Sequence, residues 1–139
     1  MGRKEARDGA FKMLYQLYIN SNEHETALQN FIDEYDFTKG DKAYITEVVN
    51  GVFSHIEEID TIIVEATKSW TLNRISLVDK AILRLAVYEM YYREDIPDSI
   101  SIYEAVELAK LYDSPKAGGF VNGLLRGILR KKEGEPEGE

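Results

Sequence analysis

Side chains that could catalyse a reaction are few in this sequence and do not form a recognisable constellation. The chain has no cysteine and only two histidines, His24 in a polar junction and His55 beside an apolar stripe. Carboxylate pairs such as 57–58 and 94–95 are adjacent in sequence, and adjacent residues of a helix do not share a face. No glycine-rich phosphate loop follows a strand. The sequence therefore predicts no catalytic residue, no metal ligand set and no cofactor.

The distribution of charge indicates a binding function instead. The 139 residues carry a net charge of −8, which argues against a general affinity for nucleic acid. Two short segments depart from this acidic background, one within residues 1–12 and one at 126–132, and the second contains four basic residues and no acid. Local RNA binding with a strong salt dependence would suit this pattern. Two solvated helix ends would explain it as well.

The elements that position these segments are predicted to be helices. Hydrophobic residues make up 44% of the chain and charged residues 30%, as in an ordinary globular protein. We expect a single helical domain over residues 1–132 and a loose acidic tail over 133–139. No apolar run approaches the ~20 residues of a membrane span, and no apolar segment follows the basic N-terminus as in a signal peptide. A cytoplasmic protein with no membrane partner is the expectation.

Helical periodicity covers most of the sequence. It predicts helices over 3–21, 25–36, 41–68 with a division near 51–54, 77–93, 102–112 and a final helix from about 120. Ser76 is expected to cap the fourth of these, Ser101 to open a capping box, and 114–119 to form a loop. Trp70 is expected to anchor the core, and Gly123 to mark close packing between helices. The fold class is all-α, with six or seven helices in two packed antiparallel bundles.

Several segments together resemble the NusB family of bacterial antitermination factors. They are RKEAR (3–7), MLYQ (13–16), WTLNRISLVDKAILRLAVYEM (70–90), DIP (95–97), YEAVELAK (103–110) and FVNGLLRGI (120–128). The resemblance spans about residues 3–130, in order. It implies an all-helical protein that binds boxA, a single-stranded RNA element, together with NusE, a protein of the small ribosomal subunit. It also implies assembly with RNA polymerase in an antitermination complex that reads through terminators in ribosomal RNA operons.

The resemblance also implies an RNA-binding surface. The arginine-rich first helix of the family contacts RNA, which carries over to Arg3, Lys4 and Arg7. The loop before the last helix and its leading aromatic carry over to Lys116 and Phe120. Basic groups next to planar rings are what readers of single-stranded RNA need.

The NusE-facing surface implied by the resemblance maps to Tyr15 and Asp79, with Asp79 expected to be exposed. Two alternatives remain open. One is a helical protein–protein adaptor with little RNA affinity. The other is an RNA-targeting domain like those fused to ribosomal RNA methyltransferases, although 139 residues leave no room for a cofactor domain. A homodimer in isolation also remains open.

Overall fold

The computed structural model describes residues 3–19, 24–67 and 72–134. Within these ranges the chain forms seven α-helices and no strand, with a short 3₁₀ turn at Leu72–Arg74. The helices are α1 (Arg3–Ile19), α2 (His24–Glu34), α3 (Lys39–Ser54), α4 (Ile56–Thr67), α5 (Leu77–Tyr92), α6 (Asp98–Tyr112) and α7 (Pro115–Lys132). The all-α prediction is confirmed. Trp70 and residues 135–139 of the predicted tail lie outside the described residues.

The central helix of the fold is α5. It packs against α1, α3, α4, α6 and α7, while α2 lies on α1. Every residue from 79 to 90 is buried, including four charged ones. The two predicted bundles therefore share α5, and charged groups on this helix need partners inside the protein.

The predicted division of the long third segment is confirmed, and it falls at His55. A Cβ at Gly51 would overlap the ring of Tyr88, so only glycine lets α3 approach α5 this closely. Three residues later α3 ends, and α4 begins at Ile56. The imidazole of His55 is half-buried, stacks on Tyr92 with ring centroids 4.2 Å apart, and lies 3.1 Å from Glu58. His55 is thus a surface packing residue.

Three hydroxyl side chains cap helices by accepting a backbone N–H from three residues ahead. They are Thr38 for α3, Ser76 for α5 and Ser114 for α7. The cap at Ser76 was predicted. The cap at Ser114 corrects the prediction of a loop over 114–119, because Pro115 occupies the first helical position, where its missing N–H costs nothing.

The prediction of a capping box at Ser101 was wrong. Helix α6 begins four residues earlier than predicted, at Asp98, and follows Pro97, which makes no side-chain cap. Ser101 is therefore helical and 2% exposed, and its hydroxyl donates to Glu89 at 2.6 Å. The Ser-x-x-Glu pattern has a capping role only where the serine is the last non-helical residue.

The interpretation of Gly123 as a close-packing residue was also wrong. Gly123 lies on the exposed face of α7, and a Cβ there would meet no atom within 4 Å. Glycine in a helix interior costs about 1 kcal/mol relative to alanine. Within the described residues, no packing contact or left-handed backbone at this position accounts for that cost.

Candidate nucleic-acid and protein interface

Arg7 is buried, although the sequence places it in the basic segment expected to contact RNA. Its side chain is 6% exposed, and its Nε donates to Glu89 at 2.8 Å. A phosphate outside the protein cannot reach this guanidinium in the folded chain. The expectation of a direct RNA contact by Arg7 is therefore corrected: this residue ties α1 to α5. The sequence held a signal for this, because Arg7 falls on the same helical face as Ala10, Phe11 and Leu14.

Glu89 lies at the centre of a buried polar network. Its carboxylate accepts from Arg7 of α1, from the hydroxyl of Tyr44 in α3, and from Ser101 of α6. With 1% exposure, this carboxylate depends on these donors for its charge to be tolerated. The network joins four helices and fixes where α1, the predicted RNA-contacting helix, lies.

Lys4 is an exposed basic residue near the N-terminus of α1. Its side chain is 73% exposed, and its Nζ lies 3.5 Å from Glu104 of α6. An exposed ion pair of this kind is worth little and exchanges readily with another anion. Arg3 begins α1, and its side chain lies outside the described residues. This end of α1 therefore offers Lys4 as an accessible ammonium.

A broad groove opens beside Lys4 between α1, α2 and α6. Its volume is about 700 Å³, and its lining combines rings of Phe31, Tyr35 and Phe37 with charged residues of α1 and α6. Tyr35 is 51% exposed. Of the three rings only that of Tyr35 is exposed, and an exposed ring next to an ammonium is a combination on which an unpaired base stacks. The carboxylates of Asp8 and Glu104 share the lining, so binding there depends on which cations they neutralise.

Lys116 and Phe120 lie in the first two turns of α7. Lys116 is exposed and Phe120 is partly buried against the core. Lys4 lies beside Glu104, whereas Lys116 follows the last residue of α6, Tyr112. At 1.5 Å per residue, the eight residues from Glu104 to Tyr112 cover about 12 Å. The two parts of the predicted RNA surface therefore lie about 12 Å apart along α6, one beside the middle of this helix and the other beside its C-terminal end.

Tyr15 and Asp79 both lie near the C-terminal end of α6. Tyr15 is half-buried against Phe11, with ring centroids 6.4 Å apart, and Phe11 in turn contacts the ring of Tyr112 with centroids 5.0 Å apart. Asp79 lies beside Asp113, the residue that follows α6. The structure brings these two partner-binding candidates to one region, as expected if α1 and α5 pack side by side.

Asp79 is buried, which corrects the expectation that it is exposed. It is 7% exposed because the first turn of α5 is covered by the end of α6. Its Oδ1 has no hydrogen-bond partner among the described residues. Burial and the neighbouring carboxyl of Asp113 raise the pKa of Asp79 to about 6, while its hydrogen bond with Ser76 acts in the opposite direction. The site holds an acceptor that lacks a donor.

Comparison with known proteins decides the family. The NusB family model matches residues 4–130. The transcription antitermination protein NusB of Acetivibrio thermocellus is 48% identical over 132 residues, which cover 95% of this chain and 91% of the relative. The chain belongs to the NusB family.

Two solved structures share the fold. NusB of T. maritima superposes with a TM-score of 0.85 at 34% identity, covering 94% of this chain and 92% of that one. A crystal structure of the antitermination factors NusB and NusE in complex with double-stranded RNA contains a chain with a TM-score of 0.84 at 32% identity. That match covers 93% of this chain and 96% of the other.

The family also settles the functional class. Its relatives are antitermination proteins and not enzymes, which confirms the prediction of a non-catalytic protein. Among the described residues, none of the helices is long and apolar enough to cross a membrane. The same residues contain no group of three or more side chains suited to holding a metal ion.

Proposed function

We propose that this chain is a transcription antitermination factor that acts in the cytoplasm. It binds boxA RNA together with NusE, and the pair joins the RNA polymerase complex that reads through terminators in ribosomal RNA operons. The observation that carries this proposal is the full-length likeness to the factor found with NusE and RNA. Residues 1–132 form the RNA-binding domain, and the acidic segment 133–139 is dispensable for binding.

The RNA surface comprises Arg3, Lys4, Lys116 and Phe120. Lys4, beside the middle of α6, and Lys116, just after its C-terminal end, are exposed ammonium groups suited to phosphates. Phe120 offers one edge of its partly buried ring to a base. Arg7 supports this surface without touching RNA, because its ion pair with Glu89 holds α1 in place.

The NusE surface comprises Tyr15 and Asp79. A half-buried tyrosine supplies apolar contact area, and aromatic residues are enriched among interface hot spots. The Oδ1 of Asp79 is buried and has no partner among the described residues, so it accepts an N–H or a cationic group from NusE only once the end of α6 that covers it moves aside. Filling that acceptor completes a buried site, so the contact contributes affinity as well as orientation.

The direct test is fluorescence anisotropy with labelled boxA RNA, with and without NusE, at several salt concentrations. We expect weak binding by the chain alone, tighter binding with NusE, and a preference for boxA over a scrambled RNA of equal length. Equal affinity for the two RNAs in the presence of NusE would contradict the assignment. Light scattering on the same samples distinguishes a monomer, a homodimer and the NusE heterodimer.

A second candidate is an adaptor that binds NusE but has little affinity for RNA. The observation in its favour is that Arg7 is committed to Glu89 and Lys4 to Glu104, which reduces the free positive charge of α1. This candidate predicts normal NusE binding without any salt-dependent RNA binding.

A further inference from the structure

The exposed face of α7 carries a row of residues that the proposed function has not yet used. Lys116, Gly119, Gly123, Arg126 and Arg130 are all exposed and recur at the three- and four-residue spacing of one helical face. The 14 residues from the first to the last cover about 21 Å. We call these five residues the basic face of α7.

All the charged side chains of α7 are basic. Residues 115–132 contain five basic side chains and no acid, in a chain whose net charge is −8. Lys131 is paired with Glu65 at 2.9 Å, and Lys132 with Asp98 at 2.8 Å. Arg126 and Arg130, by contrast, make neither an ion pair nor a hydrogen bond within the part of the chain that the structure describes. Two exposed guanidinium groups on successive turns are therefore available to an anionic partner.

Gly119 and Gly123 leave the middle of this face without side chains, so the surface there lies close to the helix backbone. A Cβ at Gly119 or at Gly123 would meet no atom within 4 Å, so there is space for a side chain that the sequence does not supply. Neither glycine has the left-handed backbone that would require it. The helix thus bears the cost of two glycines with no internal benefit, which is what close approach of another molecule would demand.

We propose that the basic face of α7 is a track for the sugar–phosphate backbone of RNA that extends beyond boxA. The proposal rests on the proposed function, because Lys116 belongs to the boxA surface and opens the track. Arg126 and Arg130 bind phosphates, and the surface over Gly119 and Gly123 lets the ribose chain lie close to the helix. Contacts of this kind position RNA without reading its sequence.

The composition of the face favours RNA over a protein partner. Protein interfaces depend on large apolar or aromatic anchors that become buried on binding. The five residues of the basic face are either basic or glycine. Single-stranded RNA offers evenly repeated negative charge along a flexible backbone, which complements a straight row of cations with open space between them.

The test compares two labelled RNAs, boxA alone and boxA with unstructured flanks on both sides, using the complex with NusE. The wild-type chain is expected to bind the extended RNA more tightly. The double variant Arg126→Gln, Arg130→Gln loses that advantage and binds boxA alone as before. Since each phosphate contact on a single strand adds about 0.7 to the salt slope, the slope for extended RNA falls by about 1.4. Between 50 and 200 mM salt, the loss of affinity then becomes about sevenfold smaller.

A matched control is the double variant Lys39→Gln, Lys42→Gln, which removes the same charge from α3. This helix makes no extensive contact with α7, and the control should bind both RNAs like the wild type. Gly123→Gln provides an independent arm, since it improves helix propensity. It should melt at or above the wild-type temperature and yet bind extended RNA more weakly.

The outcomes separate this inference from the proposed function. A wild-type complex that binds neither RNA overturns both. A complex that binds boxA but gains nothing from the flanks, or a double variant indistinguishable from the charge-matched control, overturns the track alone. Loss of NusE binding in the double variant, with RNA binding intact, would identify the face as a protein surface and overturn the track as well.

Discussion

Two carboxylates of α5, ten residues apart, are both buried, but they differ in the hydrogen-bond donors that surround them. Glu89, 1% exposed, accepts hydrogen bonds from three helices and is paired with the guanidinium of Arg7. Asp79, 7% exposed, faces the carboxyl of Asp113 and keeps one oxygen without a donor. Glu89 thus finds its hydrogen-bond donors within the chain, whereas one oxygen of Asp79 has no donor among the described residues.

The difference teaches which charged residues belong to the fold and which to an interface. A satisfied buried carboxylate adds to rigidity, and removing one of its partners leaves an uncompensated charge. An unsatisfied one costs stability until another molecule supplies the donor. By this criterion Arg7 and Glu89 are structural, whereas Asp79 awaits a partner. Four experiments test this division.

The largest effect is expected for Arg7→Ala. Removing the guanidinium leaves Glu89 charged and buried, which should lower the free energy of unfolding by about 3–5 kcal/mol. Urea unfolding measures this change. Lys12→Ala on the same helix, whose ammonium forms an exposed pair with Asp8, is the control and should cost no more than about 1 kcal/mol. If Arg7→Ala unfolds like the wild type but loses RNA binding, Arg7 contacts RNA and the structural assignment is wrong.

Next in size is the effect of Asp79→Arg on NusE binding. The substitution replaces the vacant acceptor with a cation, and losing a desolvated charge contact across an interface costs about 2–5 kcal/mol. Calorimetric titration with NusE measures the affinity, and a thermal melt shows whether the variant is folded. Tyr15→Ala should weaken binding in the same experiment, while Tyr15→Phe, which keeps the ring, serves as its control. Wild-type affinity in both Asp79→Arg and Tyr15→Ala would remove this surface from the interface.

A smaller effect, an increase in the free energy of unfolding, is expected for Asp79→Asn. The pKa of Asp79 is about 6 in the folded chain and 3.8 in the unfolded one, so the bound proton stabilises the fold. That stabilisation is complete below pH 3.8 and is lost as the pH rises through about 6. Asparagine abolishes this loss, and we expect a gain of about 1–3 kcal/mol at pH 7. Denaturant titrations of both proteins from pH 4 to pH 8 measure the difference. A gain that does not change across this range would show that Asp79 is already ionised at low pH.

The smallest effect on stability is expected for Lys4→Ala. The exposed pair with Glu104 contributes about 0–1 kcal/mol, so the unfolding curve should barely move. The salt slope for boxA RNA should nevertheless fall by about 0.7, the contribution of one phosphate contact on a single strand. An unchanged slope would assign the RNA contact of α1 to residues other than Lys4.

Most of the helical architecture could be predicted because hydrophobic periodicity is a local property. The stripes of α1, α3 and α5 and the cap at Ser76 depend only on neighbouring residues. The start of α6 was missed because Ser101 suits two roles, and the choice between them is made by Glu89, which lies on another helix. The start of α7 was missed because two glycines look like a loop although they are helical here.

The candidate site was harder to predict because its chemistry depends on long-range pairing. A basic residue near the N-terminus looks the same in sequence whether it contacts RNA or pairs with a buried acid. The acid that pairs with Arg7 lies 82 residues away in the sequence. An acid in the first turn of a helix is usually exposed, but the end of α6 covers Asp79. Lys4 and Lys116, by contrast, are exposed as the sequence predicts.

The ion pair between Arg7 and Glu89 also sets an order of events during synthesis. Because Glu89 lies 82 residues after Arg7 and translation adds about 5–20 residues per second, Arg7 is made roughly 4–16 s before its acid exists. During that interval Lys4 and Arg7 lack the acids with which they pair in the fold, close to an RNA-rich ribosome, and α1 and α3 lack the helix that both pack against. The packing of α1 and α3 therefore cannot reach its final form until α5 has been translated, and a chain truncated before Glu89 should remain unfolded.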